Sequence, residues 1–260
     1  MITNPKHIAI TGASGGLGRA ITLQYASPNT TLSLCGRNTK NLALTANLAR
    51  EKKAHVITEE FDIRDKLKLE LFLKNADALK PLDLLFCNAG ICRGVTSDGI
   101  EIDDNLIETM NTNGLATLLT ASLGARLMIP RGQGQVVLIS SQVCNFNPMY
   151  TPAYNAAKSA VKDYGFSLRH ILRDKGIGIT VVTPGFLLTP MAKSFKGAVI
   201  SPWHPERAAK YICAKLKKNP RLISFPFSLK LLDMFYSILP ECACKHKLLK
   251  KYSFRVEDNS

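Results

Sequence analysis

The chain has 260 residues, 46% hydrophobic and 21% charged, which is enough to bury a substantial core and excludes a disordered composition. Its formal net charge is +14, and residues 201–260 hold twelve Lys/Arg against five Asp/Glu. Charge of that sign attracts polyanions, but no nucleic-acid-binding module is recognisable, so nucleic acid is not an expected partner. Seven cysteines, odd in number and without zinc-ligand spacing, argue against a disulfide framework and a metal site. The N-terminus lacks a secretory layout, and a reducing, cytoplasmic setting is expected.

His7-Ile-Ala-Ile-Thr11 is a short apolar run ending at glycines and reads as a strand, followed by a helix over 17–26. The β-like run Thr31 to Cys35 leads into a helical stretch over 39–52. Runs at 55–58, 82–87, 135–140 and 177–182 read as four more strands, with helical segments at 64–79, 101–129 and 152–175 between them. After Pro184, residues 186–204 read as loop, 205–218 as helix and Leu222-Ile-Ser-Phe225 as a last strand. Strands alternating with helices of this length imply right-handed βαβ crossovers and a parallel sheet covered on both faces. Residues 1–226 therefore read as one α/β domain of about seven strands, and 227–260 as an apolar helix and basic tail joined to it. Phe227 to Leu239 carries only Lys230 and Asp233 as charges and falls short of the roughly 20 apolar residues that cross a bilayer.

Thr11-Gly-Ala-Ser-Gly-Gly-Leu-Gly18 lies between the first strand and the first helix, where free N–H groups at a helix N-terminus face a phosphate. Gly12 permits the turn, Gly16 the approach of a pyrophosphate and Gly18 close packing of helix on strand; Ser14 and Leu17 share the loop. At the end of the second strand, Cys35-Gly36-Arg37-Asn38 offers no acid for a ribose 2′-hydroxyl. It offers Arg37, whose guanidinium can pair a 2′-phosphate in bidentate fashion. NADP(H) rather than NAD(H) is the expected cofactor.

Tyr154-Asn-Ala-Ala-Lys158 places the two side chains one helical turn apart. A tyrosine pKa of about 10 is too high for an efficient base near neutrality, and a neighbouring ammonium is expected to lower it. Ser141 closes the fifth strand thirteen residues before Tyr154. With the glycine loop and Cys87-Asn88-Ala89-Gly90 in order, the chain resembles the short-chain dehydrogenase/reductase family from about His7 to Phe225. Further matches are Asp62-Ile63, Asn113, and Pro184-Gly185 with Thr189.

The resemblance implies a Rossmann-like, doubly wound parallel sheet and an oxidoreductase. In such an enzyme Tyr154 exchanges a proton with the carbonyl or alcohol oxygen, Ser141 hydrogen-bonds that oxygen, and Lys158 holds the nicotinamide ribose. Asn113 orders a water beside Lys158. It also implies that Asp62 and Ile63 meet the adenine, that Asn88, Ala89 and Gly90 border the cofactor, and that Pro184, Gly185 and Thr189 face the nicotinamide. Two departures stand out: Cys87 replaces a frequent asparagine, and Gly114 sits inside a predicted helix, where the family often has a local distortion.

Phe186, Leu187, Leu188, Met191, Phe195 and Trp203, opposite Val143, Phe146, Met149 and Tyr150, are the expected substrate walls, suited to a moderately hydrophobic ketone, aldehyde or secondary alcohol. A homodimer or homotetramer is expected, through Leu115, Leu118, Leu119, Ala121, Ser122, Ala125, Ala156, Ala157 and Ala160 on the two long helices. The tail is expected to pack on the body, with weak contact to anionic membrane through its lysines as the lesser reading. The competing function is a catalytically weak, dinucleotide-binding regulatory protein of the same fold.

Overall fold

The computed structural model describes residues 4–96, 99–146, 150–196, 201–227 and 255–256. Five strands are buried along their whole length: β1 (His7–Thr11), β2 (Thr31–Gly36), β4 (Leu84–Cys87), β5 (Gly134–Ile139) and β6 (Ile177–Pro184). Continuous burial, without in–out alternation, is what a strand covered on both faces requires. β3 (His55–Glu60) and β8 (Leu222–Phe225) are partly exposed and form the two edges. The sheet has seven strands in the order β3-β2-β1-β4-β5-β6-β8, and all six pairings are parallel.

Helices cover each face with a separate apolar cluster. On one side α1 (Gly16–Tyr25), α2 (Thr39–Glu51) and α8 (Pro205–Leu216) bring Leu17, Ile21, Leu42 and Ile212 onto Ile10, Leu34 and Val182. On the other, α3 (Lys66–Leu79), α5 (Thr117–Met128) and α7 (Pro152–Leu172) bring Phe72, Leu73, Ala121 and Val161 onto Leu85, Val136 and Ile179. The chain is a Rossmann-like single domain, as the alternating pattern implies. Strand order reverses between β1 and β4, which opens a crevice at the strands' C-terminal ends.

Four local features differ from the sequence expectation. The helix predicted over 101–129 is divided into α4 (Asp103–Thr109), a π-helical stretch Met110–Ala116, and α5. Gly114 lies in that stretch, yet a Cβ there would meet only Ala157 Cβ at 3.8 Å, so packing does not force the glycine. A short helix α6 (Val143–Phe146) follows β5. The predicted loop over 186–204 contains a 3₁₀ turn, Pro190–Ser194, and a two-residue strand β7 (Phe195–Lys196) that pairs antiparallel with β9 (Arg255–Val256). Finally, Ala121, Ala125 and Ala157, expected on an intersubunit face, are buried against the chain's own core. Of that set, Leu115, Ala156 and Ala160 are exposed, and Leu118, Leu119 and Ser122 are half-buried.

The apolar helix expected at 227–239 lies outside the described residues apart from Phe227, which is exposed. Cys242 and Cys244 lie outside them as well. No helix among the described residues is long and apolar enough to cross a membrane.

Candidate active site

The C-terminal ends of β1 and β4 are tied by one side chain each. Thr11 Oγ1 donates to Phe86 O at 3.2 Å and accepts from the Asn88 and Ala89 N–H groups at 3.0 and 3.2 Å. Asn88 Nδ2 returns to Thr11 O and Gly12 O at 3.0 and 3.2 Å. The close approach leaves no room for a side chain at Gly12 or Gly18. Gly12 has φ +68°, and a Cβ on it would lie 2.6 Å from Ala89 Cα; a Cβ on Gly18 would lie 2.3 Å from Gly12 O. The loop backbone is thereby held at the N-terminus of α1, where its N–H groups can meet an anion.

At the neighbouring strand ends, Arg37 is exposed but paired. Its Nη1 lies 3.2 Å from both Asp62 Oδ2 and Glu108 Oε1. Arg64 Nη2 pairs with Asp62 Oδ2 at 2.7 Å, and Arg93 Nη2 with Glu108 Oε2 at 3.1 Å. Burial alone would push the Asp62 carboxyl up, but hydrogen bonds from Arg64 and the charges of Arg37 and Arg64 outweigh it and hold the group at about 2. Asp62 therefore presents a carboxylate already engaged by two guanidinium groups. Asn38 caps α2 by accepting from Asn41 N at 2.8 Å.

Further along the crevice, Tyr154 lies in the first turn of α7 and accepts or donates a hydrogen bond with Ser141. Ser140 Oγ donates to Lys158 O at 2.7 Å, which fixes α7 against the end of β5. Lys158 is buried; its Nζ donates to Ile139 O at 3.0 Å and stands 5.7 Å from the Tyr154 ring centre. The expected lowering of Tyr154 by Lys158 is not what this site shows. Burial pushes the Tyr154 hydroxyl above its ordinary value, with the Ser141 hydrogen bond offsetting only part. Burial also pulls Lys158 down, to about 8. Burial disfavours the charged form of each group, and it is the largest influence on both.

Asn113 holds a different place from its neighbours in the expected set. Its Oδ1 accepts from Ile91 N at 2.8 Å and its Nδ2 donates to Ile91 O at 2.7 Å, so the side-chain amide anchors the chain leaving β4. The π-helical turn permits this by bringing residue 113 over residue 91.

The crevice holds one cavity of about 390 Å³. Its lining includes every expected cofactor residue: Gly12, Ser14, Gly16, Leu17, Gly18, Arg37, Asn38, Asp62, Ile63, Asn88, Ala89, Gly90, Pro184, Gly185 and Thr189. Ser141, Tyr154 and Lys158 line it too. Asn113 does not line it, while its neighbour Thr112 does. Of the expected substrate walls, Val143, Phe186, Leu187 and Met191 line the cavity; Leu188, Tyr150 and Trp203 do not. Trp203 instead packs on Phe225, with ring centres 4.8 Å apart, and exchanges backbone hydrogen bonds with Phe186 and Leu188. Met149 lies outside the described residues, as do the side chains of Phe146 and Phe195. Sequence reasoning missed Gln142, Glu101 and Glu108. Gln142 alone had a local signal, its place next to Ser141; the two glutamates carry none in a helix-opening acidic stretch.

A sheet of this order, with a glycine loop at the switch point and Ser, Tyr and Lys further along one crevice, defines a dinucleotide-type α/β domain. Comparison with known proteins makes the assignment definite: residues 6–198 match the short chain dehydrogenase family model, and the chain belongs to that family of oxidoreductases. It is 33% identical over 198 residues to an uncharacterised oxidoreductase of Mycobacterium tuberculosis, covering 74% of this chain and 78% of the relative. It is also 30% identical over 183 residues to the ketoacyl reductase HetN of Nostoc sp., covering 70% and 63%. In fold it is similar to a short chain dehydrogenase from Mycobacterium paratuberculosis bound to NAD, with TM-score 0.75 and 22% identity, over 84% of this chain and 95% of that one.

Proposed function

We propose that the protein transfers hydride between NADP(H) and a moderately hydrophobic ketone, aldehyde or secondary alcohol, with Tyr154 as the proton-transfer residue. The observation that carries this reading is the convergence of Ser141, Tyr154 and Lys158 on the same cavity as the glycine loop. The cofactor supplies the hydride; the chain supplies position and the proton. Lys158 would hold the nicotinamide ribose, Ser141 would donate to the carbonyl oxygen, and Asn113 would order the water beside Lys158. Asp62 and Ile63 would border the adenine. The apolar lining by Val143, Phe186 and Leu187 favours a hydrophobic carbonyl compound, and a relative named as a ketoacyl reductase supports carbonyl chemistry.

Tyr154→Phe should lower turnover by about two orders of magnitude or more, the usual scale for a positioned acid–base group, while NADPH still binds. A carbonyl panel followed by NADPH oxidation tests this, and a variant keeping a tenth of the activity would refute the role. NADPH binding without turnover of any carbonyl would point to the regulatory alternative.

The pH dependence follows from the two buried groups. Tyr154 is pushed up and Lys158 down to about 8, so at neutrality both carry their protons, the state that reduces a carbonyl. Lys158 loses its charge as pH rises through about 8. The kcat/KM for reduction should therefore be flat below about pH 7 and fall toward tenfold per pH unit above 8. A decline on the acid side of pH 7 instead would show that another group controls the step.

Cofactor choice rests on Arg37 at the cavity's edge. Arg37→Ala should weaken NADPH binding by about tenfold or more, the value of a hydrogen bond to a charged group, and leave NADH nearly unchanged. Equal losses for both would mean that Arg37 only steadies Asp62 and Glu108.

The same reading carries a cytoplasmic homodimer or homotetramer, with Leu115, Leu118, Ala156 and Ala160 as its accessible small and apolar face. Light scattering that finds a single chain at micromolar concentration would reject it. Residues 227–260 are proposed as an extension of the same domain, an arrangement supported by the β7–β9 pairing.

A further inference from the structure

We infer that Glu101 is a positioning residue for Tyr154, acting through the N-terminus of α7. The inference rests on the proposed role of Tyr154. A helix begins with N–H groups that have no intrahelical partner, and a side chain at the N-cap commonly accepts from one of them. In α7 the N-cap residue Thr151 makes no such bond; its Oγ1 donates to Asn155 Oδ1 at 3.4 Å. Pro152, at the first helical position, has no N–H. The next N–H, of Ala153, is taken by a carboxylate from another part of the chain: Ala153 N donates to Glu101 Oε2 at 3.0 Å and lies 3.3 Å from Oε1.

This is an external cap, and it is enclosed. Glu101 is only 8% exposed, and burial pushes its carboxyl above the ordinary range, the Ala153 N–H offsetting part of that. A buried carboxylate is costly unless something compensates it; here the compensation is the N–H and the positive end of a 21-residue helix. Tyr154 is the residue that follows Ala153. The stretch that carries Glu101 also touches the helix elsewhere. Val95 N donates to Tyr150 O at 3.1 Å, and Cys92 joins Val143 and Phe186 in the apolar group that packs against Tyr154. Cys92, Val95 and Glu101 thus bracket Tyr154 from the ring side and the backbone side, and α4 with the π-helical turn of Asn113 follows directly. A small tilt of the first turn would displace the Tyr154 hydroxyl from Ser141, and a misplacement of about 1 Å can cost about a hundredfold in rate.

The test compares Glu101→Ala, Glu101→Gln and, as a stability control away from the cavity, Arg131→Ala, which removes the contacts of Arg131 with Asp77 and Leu82 O. Glu101→Ala should lower kcat for carbonyl reduction about tenfold or more, raise the deuterium isotope effect with 4-deuterated NADPH, and change the NADPH Kd less than about twofold. Glu101→Gln, which keeps an acceptor for Ala153 N–H, should recover most of kcat. Hydrogen exchange needs no substrate and separates this inference from the carbonyl reading: amide exchange in the first turn of α7 should accelerate in Glu101→Ala and not in Arg131→Ala. Unchanged exchange in that turn, or equal kcat and isotope-effect changes in Arg131→Ala, would overturn the assignment even if Tyr154 proves essential. Faster exchange with no active carbonyl would leave the cap standing and refute the carbonyl reading.

Discussion

The hydrogen bonds between Thr11 and Asn88 are the contact on which the rest of the site depends. They join the ends of β1 and β4, the two strands between which the strand order reverses. A parallel sheet delivers all its C-terminal ends to one edge, but only at this reversal do successive connections leave in opposite directions and open a crevice. Thr11 draws Asn88 and Ala89 so close to the glycine loop that Gly12 and Gly18 cannot carry a Cβ. The loop's backbone N–H groups, rather than side chains, then face whatever binds at the start of α1. Chain leaving β4 continues to Ile91, where the Asn113 amide holds it. From there Asn113 and Gly90 border Lys158: a Cβ on Gly90 would lie 2.9 Å from Asn113 Oδ1 and 3.5 Å from Lys158 Nζ.

Two electrostatic regimes share that crevice. At the β2 and β3 end, guanidinium and carboxylate groups are half-exposed and mutually paired, and the outcome is an Asp62 held at about 2. At the β5 and β6 end the ionisable groups are buried, and desolvation governs them in opposite directions, raising Tyr154 and lowering Lys158. The polar end suits a ligand's charged groups and can exchange one ion pair for another at modest cost. The apolar end keeps the hydroxyl protonated and the ammonium close to its titration point.

Much of this was legible in the sequence, for identifiable reasons. Strand and helix periods recovered seven sheet strands because five of them are mainly apolar runs buried along their whole length. The spacing of Ser141, Tyr154 and Lys158 placed them together because β5 and α7 are adjacent elements. What could not be read depends on contacts across long sequence distance. The pairing of Arg37 with Glu108 spans 71 residues and the cap by Glu101 spans 52; neither leaves a periodic trace. A distortion of the 101–129 helix near Gly114 was foreshadowed by the family resemblance, and the structure places a π-helical turn there, with Asn113 bonded to Ile91. Ala121, Ala125 and Ala157 misled as interface residues because a small residue packs equally well on a partner or on the chain's own sheet.

The wall opposite the glycine loop is built on a different plan from the rest of the crevice. Its base is rigid: Trp203 N donates to Phe186 O and Leu188 N to Trp203 O, both at 2.9 Å. The Trp203 ring packs on Phe225 and Tyr211, with Arg207 3.9 Å from its centre. That cluster sits on β8, the edge strand, and therefore draws on the sheet without disturbing the buried strands. Between the two ends of this staple, the described residues hold the 3₁₀ turn Pro190–Ser194 and β7, which pairs with β9 over two residues. Attachment at the base keeps Phe186 and Leu187 on the cavity. In the proposed enzyme, the chemistry is thus tied to the central strands, and the stapled loop brings Phe186, Leu187 and Met191 to the same cavity.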